Sequence, residues 1–403
     1  MISDFNEILS ESIKGMKRSA IRELLKLTQN SEIISFAGGL PAPETFPVED
    51  LKKVAVEVLN EDFKSALQYG ATEGDNLLRD LLIERYREHG FDIERDNLVI
   101  TTASQQGLDL LSKIFINRGD KVIVGLPSYL GGLSAFFAYG AKPIGICFDE
   151  HGMCSDALEE KLEEMKQAGE KPKFIYIIPD FQNPAGVTMP ESRRREIIEL
   201  AHKYDVLIIE DSPYKEIRFE GKEQMSMYPM DGTGQVINLG TFSKIFVPGF
   251  RIGWVIADKK ITDKFVIAKQ ATDLCTSPFV QKIAAKYMEK GIFDKQLQDI
   301  KITYKEKRDA MLDAFERYMP KGVSWTKPEG GLFLFLRLPE HMDSEKLFHK
   351  AIKKKVAFVI GVVFHCDGSG KNTARINFSY MSKEANIEGV KRLAEVIKEE
   401  MNS

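Results

Sequence analysis

The sequence predicts an α/β protein with a large domain, built on a mostly parallel seven-stranded sheet flanked by helices, and a smaller α+β domain. Between residues 97 and 257, short apolar segments alternate with amphipathic ones, as in consecutive βα units. Beyond about residue 290 the alternation stops, and a long helical segment is followed by strands and helices in mixed order. The length of 403 residues also exceeds what one ordinary core holds.

The predicted strands of the large sheet are short, apolar and rich in β-branched side chains, which is typical of strands buried on both faces. They span residues 98–101, 121–125, 143–147, 173–178, 206–210, 235–239 and 252–257. In such sheets ligands bind outside the carboxyl ends of the strands. The residues that follow each strand are therefore the candidates for chemistry.

The first 48 residues are predicted to form an arm and a loop that pack on other parts of the protein. Apolar residues recur at helical spacing in 1–30, which predicts an amphipathic arm. Two glycines and three prolines in 33–47 predict a loop without regular structure. We place the large domain at residues 49–290 and the small domain at residues 291–403.

The composition excludes several classes of function. The 56 basic and 60 acidic residues give a net charge of −4, which does not favour a nucleic acid as partner. The four cysteines and six histidines show no spacing typical of a metal site, so we expect no metal. No basic leader precedes an apolar segment, and no run of about 18 apolar residues is present. We therefore expect a cytoplasmic protein without a membrane span.

Lys244 lies on a tight connection between two apolar strands. An ammonium group near an apolar interior loses hydration, so its pKa falls and the neutral, nucleophilic amine becomes favoured. Thr241, Ser243 and Arg251 could hold a phosphate dianion beside it. This combination suits pyridoxal phosphate, although a surface loop with an ordinary lysine would explain the segment when it is considered alone.

Two other strands end in residues that could contact a ligand. Ser104 follows residues 98–101 and is predicted to cap a helix whose free N–H groups would bind an anion. Asn183 follows residues 173–178, and its amide could donate to an oxygen in the cleft. Each residue also has a simpler interpretation, a helix cap and an Asn-Pro turn respectively.

A further strand, 206–210, is followed directly by Asp211. A carboxylate at a buried strand end is costly unless it meets a cation. The pyridinium nitrogen of a pyridine cofactor would be that cation, and Tyr214 could donate to the phenolic oxygen of the same ring. The alternative is an Asp-x-Pro turn without function.

The ordered set of these motifs resembles the fold-type I pyridoxal-phosphate aminotransferases of the aspartate aminotransferase superfamily, whose fold it implies. The matching residues are Ser104, Gln105, Tyr129, Asn183, Asp211, Tyr214, Ser243, Lys244, Arg251 and Arg375. The segment that begins at Gly38 and Gly39, and the one that surrounds Ser104, are most similar to the 2-aminoadipate and kynurenine aminotransferase branch. The resemblance covers nearly the whole chain.

The resemblance implies a role for each matched residue. Lys244 would form a Schiff base with pyridoxal phosphate, and Tyr129 would stack on the cofactor ring. The expected phosphate contacts come from Ser104, Gln105, Thr241, Ser243 and Arg251. Tyr69, at the tip of an exposed loop, would reach the site of a partner subunit, which implies a homodimer with shared active sites. The family usually has serine where Thr241 stands, and threonine keeps the hydroxyl.

Substrate binding is expected at Arg375, which the resemblance makes the bidentate partner of the α-carboxylate, with Asn183 and the Gly39 loop beside it. Strand alternation places Arg375 on a polar face, so a solvent-facing arginine is the alternative. Arg22 matches an arginine that lies near the substrate in the 2-aminoadipate and kynurenine branch, although an arm arginine in solvent is about as well supported. Arg22 is the candidate for recognising a distal carboxylate or an aromatic ring.

The predicted function is transamination with ping-pong kinetics, in which 2-oxoglutarate accepts the amino group of glutamate, 2-aminoadipate or an aromatic amino acid. Two alternatives remain open at this point. The same scaffold could perform β-elimination as a lyase. It could also sense pyridoxal phosphate or an amino acid without catalysis.

Overall fold

The computed structural model describes residues 4–10, 12–13, 16 and 32–402. Arg22 and most of the predicted arm lie outside the described residues. Between residues 32 and 402 the helices are α1 (Val48–Glu61), α2 (Phe63–Ala66), α3 (Asn76–Glu88), α4 (Ala103–Phe115), α5 (Leu130–Ala138), α6 (Ser155–Gln167), α7 (Glu191–Tyr204), α8 (Met227–Asp231), α9 (Lys259–Gln270), α10 (Pro278–Glu289), α11 (Ile292–Tyr318), α12 (Ser344–Lys353) and α13 (Lys383–Met401). The strands are β1 (Ile34–Ser35), β2 (Leu98–Thr101), β3 (Lys121–Leu126), β4 (Lys142–Asp149), β5 (Gly152–Met153), β6 (Phe174–Ile177), β7 (Leu207–Asp211), β8 (Val236–Thr241), β9 (Gly253–Ile256), β10 (Ser324–Trp325), β11 (Phe333–Arg337), β12 (Val356–Ala357), β13 (Val359–Ile360) and β14 (Thr373–Asn377).

The large sheet has the strand order β2-β9-β8-β7-β6-β3-β4-β5. The five strands from β8 to β4 run parallel, whereas β9 runs antiparallel to both of its neighbours. The mostly parallel sheet is therefore confirmed. The structure adds an eighth strand, β5, which pairs antiparallel with β4. Two residues are too few to show any apolar periodicity, so the sequence pattern does not reveal this strand.

A smaller antiparallel sheet with the order β10-β11-β14-β13 is formed by the last third of the chain. Its central strands β11 and β14 pair over five residues, and helices α11 and α13 pack against each other beside it. Helix α13 begins after Ser382, whose hydroxyl accepts a hydrogen bond from the Ala385 N–H at 3.2 Å. The predicted second unit of mixed helices and strands is thus present.

The segment 33–47 contains more regular structure than its glycines and prolines predict. Strand β1 pairs parallel with β12, and a 3-10 turn spans Pro43–Thr45. The strand lies before the first glycine and depends on a partner about 320 residues away, while the fixed φ of proline suits the first position of a helical turn. The intervening residues stay irregular and are held by hydrogen bonds from Asn377 N–H to the Phe36 carbonyl (3.0 Å) and from the Ser379 hydroxyl to the Leu40 carbonyl (2.9 Å).

The parallel strands bring the predicted site residues to one edge of the large sheet. Asp211 is the last residue of β7, Asn183 follows β6, and Lys244 follows β8. The segment 36–42 lies between this edge and the small sheet, because it bonds to β14 and to residues just beyond it. Among the helices in the described part of the chain, none combines the length and the apolar character needed to cross a bilayer.

Candidate active site

A cleft of about 230 Å³ opens at the carboxyl ends of the parallel strands. Most of the predicted cofactor residues line it: Ser104, Gln105, Tyr129, Asp211, Tyr214, Thr241, Ser243, Lys244 and Arg251. The chain thus brings together, from five separate segments, the residues that the sequence motifs single out.

Lys244 projects into this cleft from the connection between β8 and β9. Its amine donates a hydrogen bond to the Gly39 carbonyl at 2.8 Å. Burial, together with the positive charges of Arg375 and Arg251, lowers the pKa of Lys244 to about 8. Most of this amine is still protonated at pH 7, but its neutral, nucleophilic fraction is far larger than that of an ordinary lysine.

Asp211 is a buried carboxylate without a cationic partner among the described residues. It is 2% exposed, and only the Oδ2 atom is paired, with the Tyr176 hydroxyl donating to it at 2.7 Å. Burial raises the pKa of Asp211 to about 7, although the Tyr176 hydrogen bond opposes this shift. The Oδ1 atom has no hydrogen-bond partner in the described structure. A cationic ring nitrogen would relieve this cost, so Asp211 fits a pyridinium group.

Tyr176 is a contributor that the sequence motifs do not reveal. It lies in β6, is 1% exposed, and packs edge-on against Phe136 with ring centroids 5.3 Å apart. Burial and the nearby charge of Asp211 raise its pKa well above the usual range, so it remains a donor. The available signal is a single hydroxyl in an otherwise apolar strand, since a buried tyrosine hydroxyl needs a partner.

Thr241, Ser243 and Arg251, which we call the anion cradle, form a connected set of donors. The Thr241 hydroxyl donates to the Ile252 carbonyl at 2.9 Å, and its oxygen accepts from the Ser243 N–H at 3.1 Å. Arg251 donates to the Ser243 hydroxyl oxygen at 3.3 Å. The Thr241 and Ser243 hydroxyl oxygens also lie 2.9 Å apart, so these two side chains share a hydrogen bond. The Arg251 guanidinium is the charged group of the cradle that could face an anion.

The first turn of α4 lies in the wall of the same cleft. The prediction that Ser104 caps this helix is wrong, because the helix begins at Ala103 and the chain turns there with a φ of 60°. Ser104 and Gln105 occupy the first turn, whose N–H groups have no acceptor within a helix. The Gln105 amide donates to the Gly131 carbonyl at 3.0 Å and accepts a long hydrogen bond from Tyr129 at 3.5 Å.

Arg375 is buried, at 2% exposure, on the inward face of β14. Its guanidinium donates to Asn183 Oδ1 at 2.9 Å and to the Ala37 carbonyl at 2.7 Å, and it lies over the rings of Phe333 (4.3 Å) and Phe364 (5.2 Å). Burial lowers its pKa to about 10, so it stays charged at neutral pH. The Nε atom has no partner among the described residues. A solvent-facing arginine is excluded.

Asn183 links Arg375 to Tyr214. Its amide nitrogen donates to the Tyr214 hydroxyl at 3.3 Å while its amide oxygen accepts from Arg375. These two bonds determine the amide orientation. Burial raises the pKa of Tyr214, which keeps the hydroxyl protonated and able to donate.

Two predicted site residues are not part of this constellation. Tyr69 is 80% exposed and does not line the cleft of its own chain. Arg22 lies outside the described residues. By contrast, Gly39 lies beside Lys244, and its carbonyl accepts a hydrogen bond from the Lys244 amine.

The architecture and the lysine-aspartate cleft together define a fold-type I pyridoxal-phosphate enzyme. The fold is that of aspartate aminotransferase: the enzyme from Thermus thermophilus superposes with a TM-score of 0.85 at 20% identity, over 96% of this chain and 99% of that one. At this level of identity the likeness shows the fold alone.

Closer relatives show the family. A family model described as aminotransferase class I and II matches residues 32–393. Aromatic-amino-acid aminotransferase 1 of Thermococcus litoralis is 50% identical over 99% of this chain and 96% of its own. Kynurenine aminotransferase of Pyrococcus horikoshii is 48% identical over all of both chains, with a TM-score of 0.96. An α-aminoadipate aminotransferase of Thermus thermophilus, solved with N-(5′-phosphopyridoxyl)-L-leucine, is 36% identical over 99% of both, with a TM-score of 0.92.

The chain therefore belongs to the class I and II aminotransferases, close to the kynurenine and 2-aminoadipate branch. The predicted family, enzyme class and cofactor, pyridoxal phosphate, are confirmed.

Proposed function

We propose that the chain transfers the amino group of an amino acid to 2-oxoglutarate, and that Lys244, Asp211 and Arg375 perform the central steps. The observation that supports this most strongly is the arrangement around the cleft. A lysine amine with a lowered pKa, a buried carboxylate without a cationic partner among the described residues, and a buried guanidinium all converge there. Such groups could attach a pyridine cofactor, pair with its ring nitrogen and bind the carboxylate of an amino acid, respectively.

Each group of residues has one task towards the cofactor. Lys244 would attach it, the anion cradle and the first turn of α4 would bind its phosphate, and Asn183 and Tyr214 would contact its phenolic oxygen. Asp211, whose Oδ1 atom has no partner among the described residues, would keep the ring nitrogen protonated. Tyr129 would contact the ring. Bound pyridoxal phosphate supplies an electron sink for the negative charge that develops at the substrate α-carbon.

Arg375 binds the substrate α-carboxylate, and its rigid setting between two phenylalanine rings holds the α-carbon in place. The Lys244 amine, when it is not attached to the cofactor, would remove the proton from this α-carbon as a general base, for which a pKa of about 8 is well matched to neutral pH. A cationic ring nitrogen beside Asp211 would oppose the rise of its pKa and keep the carboxylate ionised.

The donors that we propose are glutamate, 2-aminoadipate and aromatic amino acids. The support is that similar proteins are named for aromatic amino acids, kynurenine and aminoadipate. We further propose that Arg22 recognises the distal end of the substrate, and that the protein is a cytoplasmic homodimer to which Tyr69 contributes across the interface. The proposed divisions are an arm and substrate loop (1–48), a large domain (49–290) and a small domain (291–403).

A half-reaction tests this function. The loaded enzyme is mixed with one amino acid and no 2-oxo acid, and the products are quantified, with Lys244→Ala as the matched control. We expect one equivalent of 2-oxo acid without ammonia, followed by recovery of the starting spectrum when 2-oxoglutarate is added. Pyruvate with ammonia would instead indicate a lyase. Spectral binding without any product would indicate a sensor.

A further inference from the structure

A polar cluster centred on a fully buried lysine lies beside the first turn of α4. It consists of Lys269, Asp273, Gln106 and Thr102, which we call the Lys269 network. The Lys269 ammonium, with no exposed side-chain surface, donates to Asp273 Oδ1 at 2.6 Å and to Gln106 Oε1 at 3.0 Å. None of these four residues has a task in the reaction described above.

Both the oxygen and the nitrogen of the Gln106 amide make hydrogen bonds. Its oxygen accepts from Lys269 and from the Thr102 backbone N–H (2.7 Å), and its nitrogen donates to Asp273 Oδ2 at 2.6 Å. The Thr102 hydroxyl donates to the same Asp273 oxygen at 2.9 Å. Backbone and side chain of Thr102, the residue that precedes the turn, are thus both held by the network.

The turn that follows Thr102 is strained and closely packed. Ala103 has a φ of 60°, a conformation that costs free energy for any residue with a Cβ and persists only where neighbouring groups enforce it. Strand β9 also packs closely against this turn: a Cβ at Gly253 would lie 2.5 Å from the Ala103 carbonyl carbon and from the Ser104 nitrogen. The turn is therefore confined by the backbone of β9 and by the Lys269 network.

Stability alone does not explain an ion pair whose lysine is fully buried while its aspartate side chain is 28% exposed. Breaking such a pair is destabilising, but replacing it with apolar residues of similar volume often is not, since desolvation offsets the attraction. Burial lowers the pKa of Lys269 although Asp273 opposes the shift, which shows that the desolvation cost is present here. The contribution of the pair is positional, because its hydrogen bonds determine where the Gln106 amide and Thr102 lie.

We propose that the Lys269 network is a positioning device that holds residues 102–105 in the conformation that receives the phosphate of the cofactor. Ser104 and Gln105 present their N–H groups correctly only while Thr102 is held by the network. This inference rests on the proposed function, which assigns the phosphate to this turn.

The test compares two ligands that differ only in the phosphate. Dissociation constants of pyridoxal 5′-phosphate and of pyridoxal are measured by absorbance on apo-protein, for wild type, Lys269→Met and Gln106→Met. Lys264→Met, an exposed lysine on the same helix, is the control. In both network variants we expect the preference for the phosphorylated ligand to fall by about tenfold or more, with pyridoxal affinity unchanged.

Gln106→Met leaves the Lys269 and Asp273 ion pair intact, so the test survives if Lys269→Met fails to fold. An unchanged preference in Gln106→Met, or an equal loss of affinity for both ligands, would overturn the positioning role. If wild type itself shows no preference for the phosphorylated ligand, the phosphate assignment fails as well. The two proposals therefore fail by different results.

Discussion

Lys244 and Lys269 both lie in the large α/β domain with amines that burial affects, and they differ in the groups that surround them. Lys269 has a carboxylate partner, Asp273. Lys244 has only the Gly39 carbonyl as acceptor among the described residues, and its charged neighbours are the arginines Arg375 and Arg251. Burial lowers the pKa of both lysines, but Asp273 opposes this shift at Lys269 whereas the two arginines add to it at Lys244. The partner, rather than burial alone, decides whether a lysine is structural or reactive.

The carboxylate of Asp211 completes this comparison, since among the described residues it has neither a lysine nor an arginine as a partner. We expect Asp211→Asn to lower turnover by about 100-fold or more while pyridoxal phosphate still binds, because loss of an ion pair in a dry site costs about 3 kcal/mol. Steady-state kinetics with saturating cofactor checks this. Turnover within a few-fold of wild type would remove Asp211 from the reaction.

Replacing Lys244 and replacing Lys269 should change the free energy of unfolding of the apo-protein in opposite directions. The folded-state pKa of Lys244 is about 8, below its ordinary value of 10.5, so a proton on Lys244 at pH 7 disfavours the folded state. This cost is complete below pH 8 and disappears as the pH rises towards 10.5. Lys244→Met should therefore stabilise the apo-protein at pH 7 by about 3 kcal/mol, with no gain near pH 10.5.

Lys269→Met should instead destabilise the apo-protein, because it leaves Asp273 without its cation. Denaturant unfolding of both variants at pH 7 and pH 10 measures the difference. Shifts of the same sign in the two variants at pH 7 would contradict the comparison.

A smaller effect is expected at Arg375. Lysine at this position offers a point charge in place of a planar fork, so Arg375→Lys should raise KM by about tenfold for every amino acid, whatever its side chain. Arg337→Lys on the neighbouring strand, where the side chain is exposed, is the matched control. A change confined to one class of donor would show that Arg375 reads the side chain rather than the α-carboxylate.

The smallest effect is expected at Tyr176. The Tyr176 hydroxyl makes the one hydrogen bond that Asp211 has among the described residues. Because Tyr176→Phe removes this bond, it should raise the pKa of Asp211 above its value of about 7 in the apo-protein. The carboxyl infrared band, followed as a function of pH, reports this shift, with Tyr204→Phe as control. An unchanged titration would mean that Tyr176 only packs.

The sequence predicts the parts of this molecule that depend on local pattern. The parallel strands and the residues at their carboxyl ends, such as Asp211 and Lys244, follow from apolar periodicity and from the rule that strand ends meet at one edge. The role of Arg375 follows only from the resemblance, because a surface arginine has the same local pattern. At Ser104 the local pattern suits an anion site and a simple helix cap equally well.

Contacts between distant segments are the part that local pattern cannot predict. Tyr176 in β6 reaches Asp211 in the neighbouring strand β7, and the Ala37 carbonyl reaches Arg375 across more than 300 residues. The pairing of β1 with β12 is of the same kind. The sharp turn at Ala103 is also hidden, because alanine carries no signal for a positive φ.

The identity of the reactive lysine is the central claim, and covalent trapping tests it most directly. The loaded enzyme is reduced with borohydride, digested and mapped by mass spectrometry. We expect the cofactor label on the peptide that contains Lys244, and none on Lys269 or any other lysine. A label on another lysine, with Lys244 unmodified, would contradict the account.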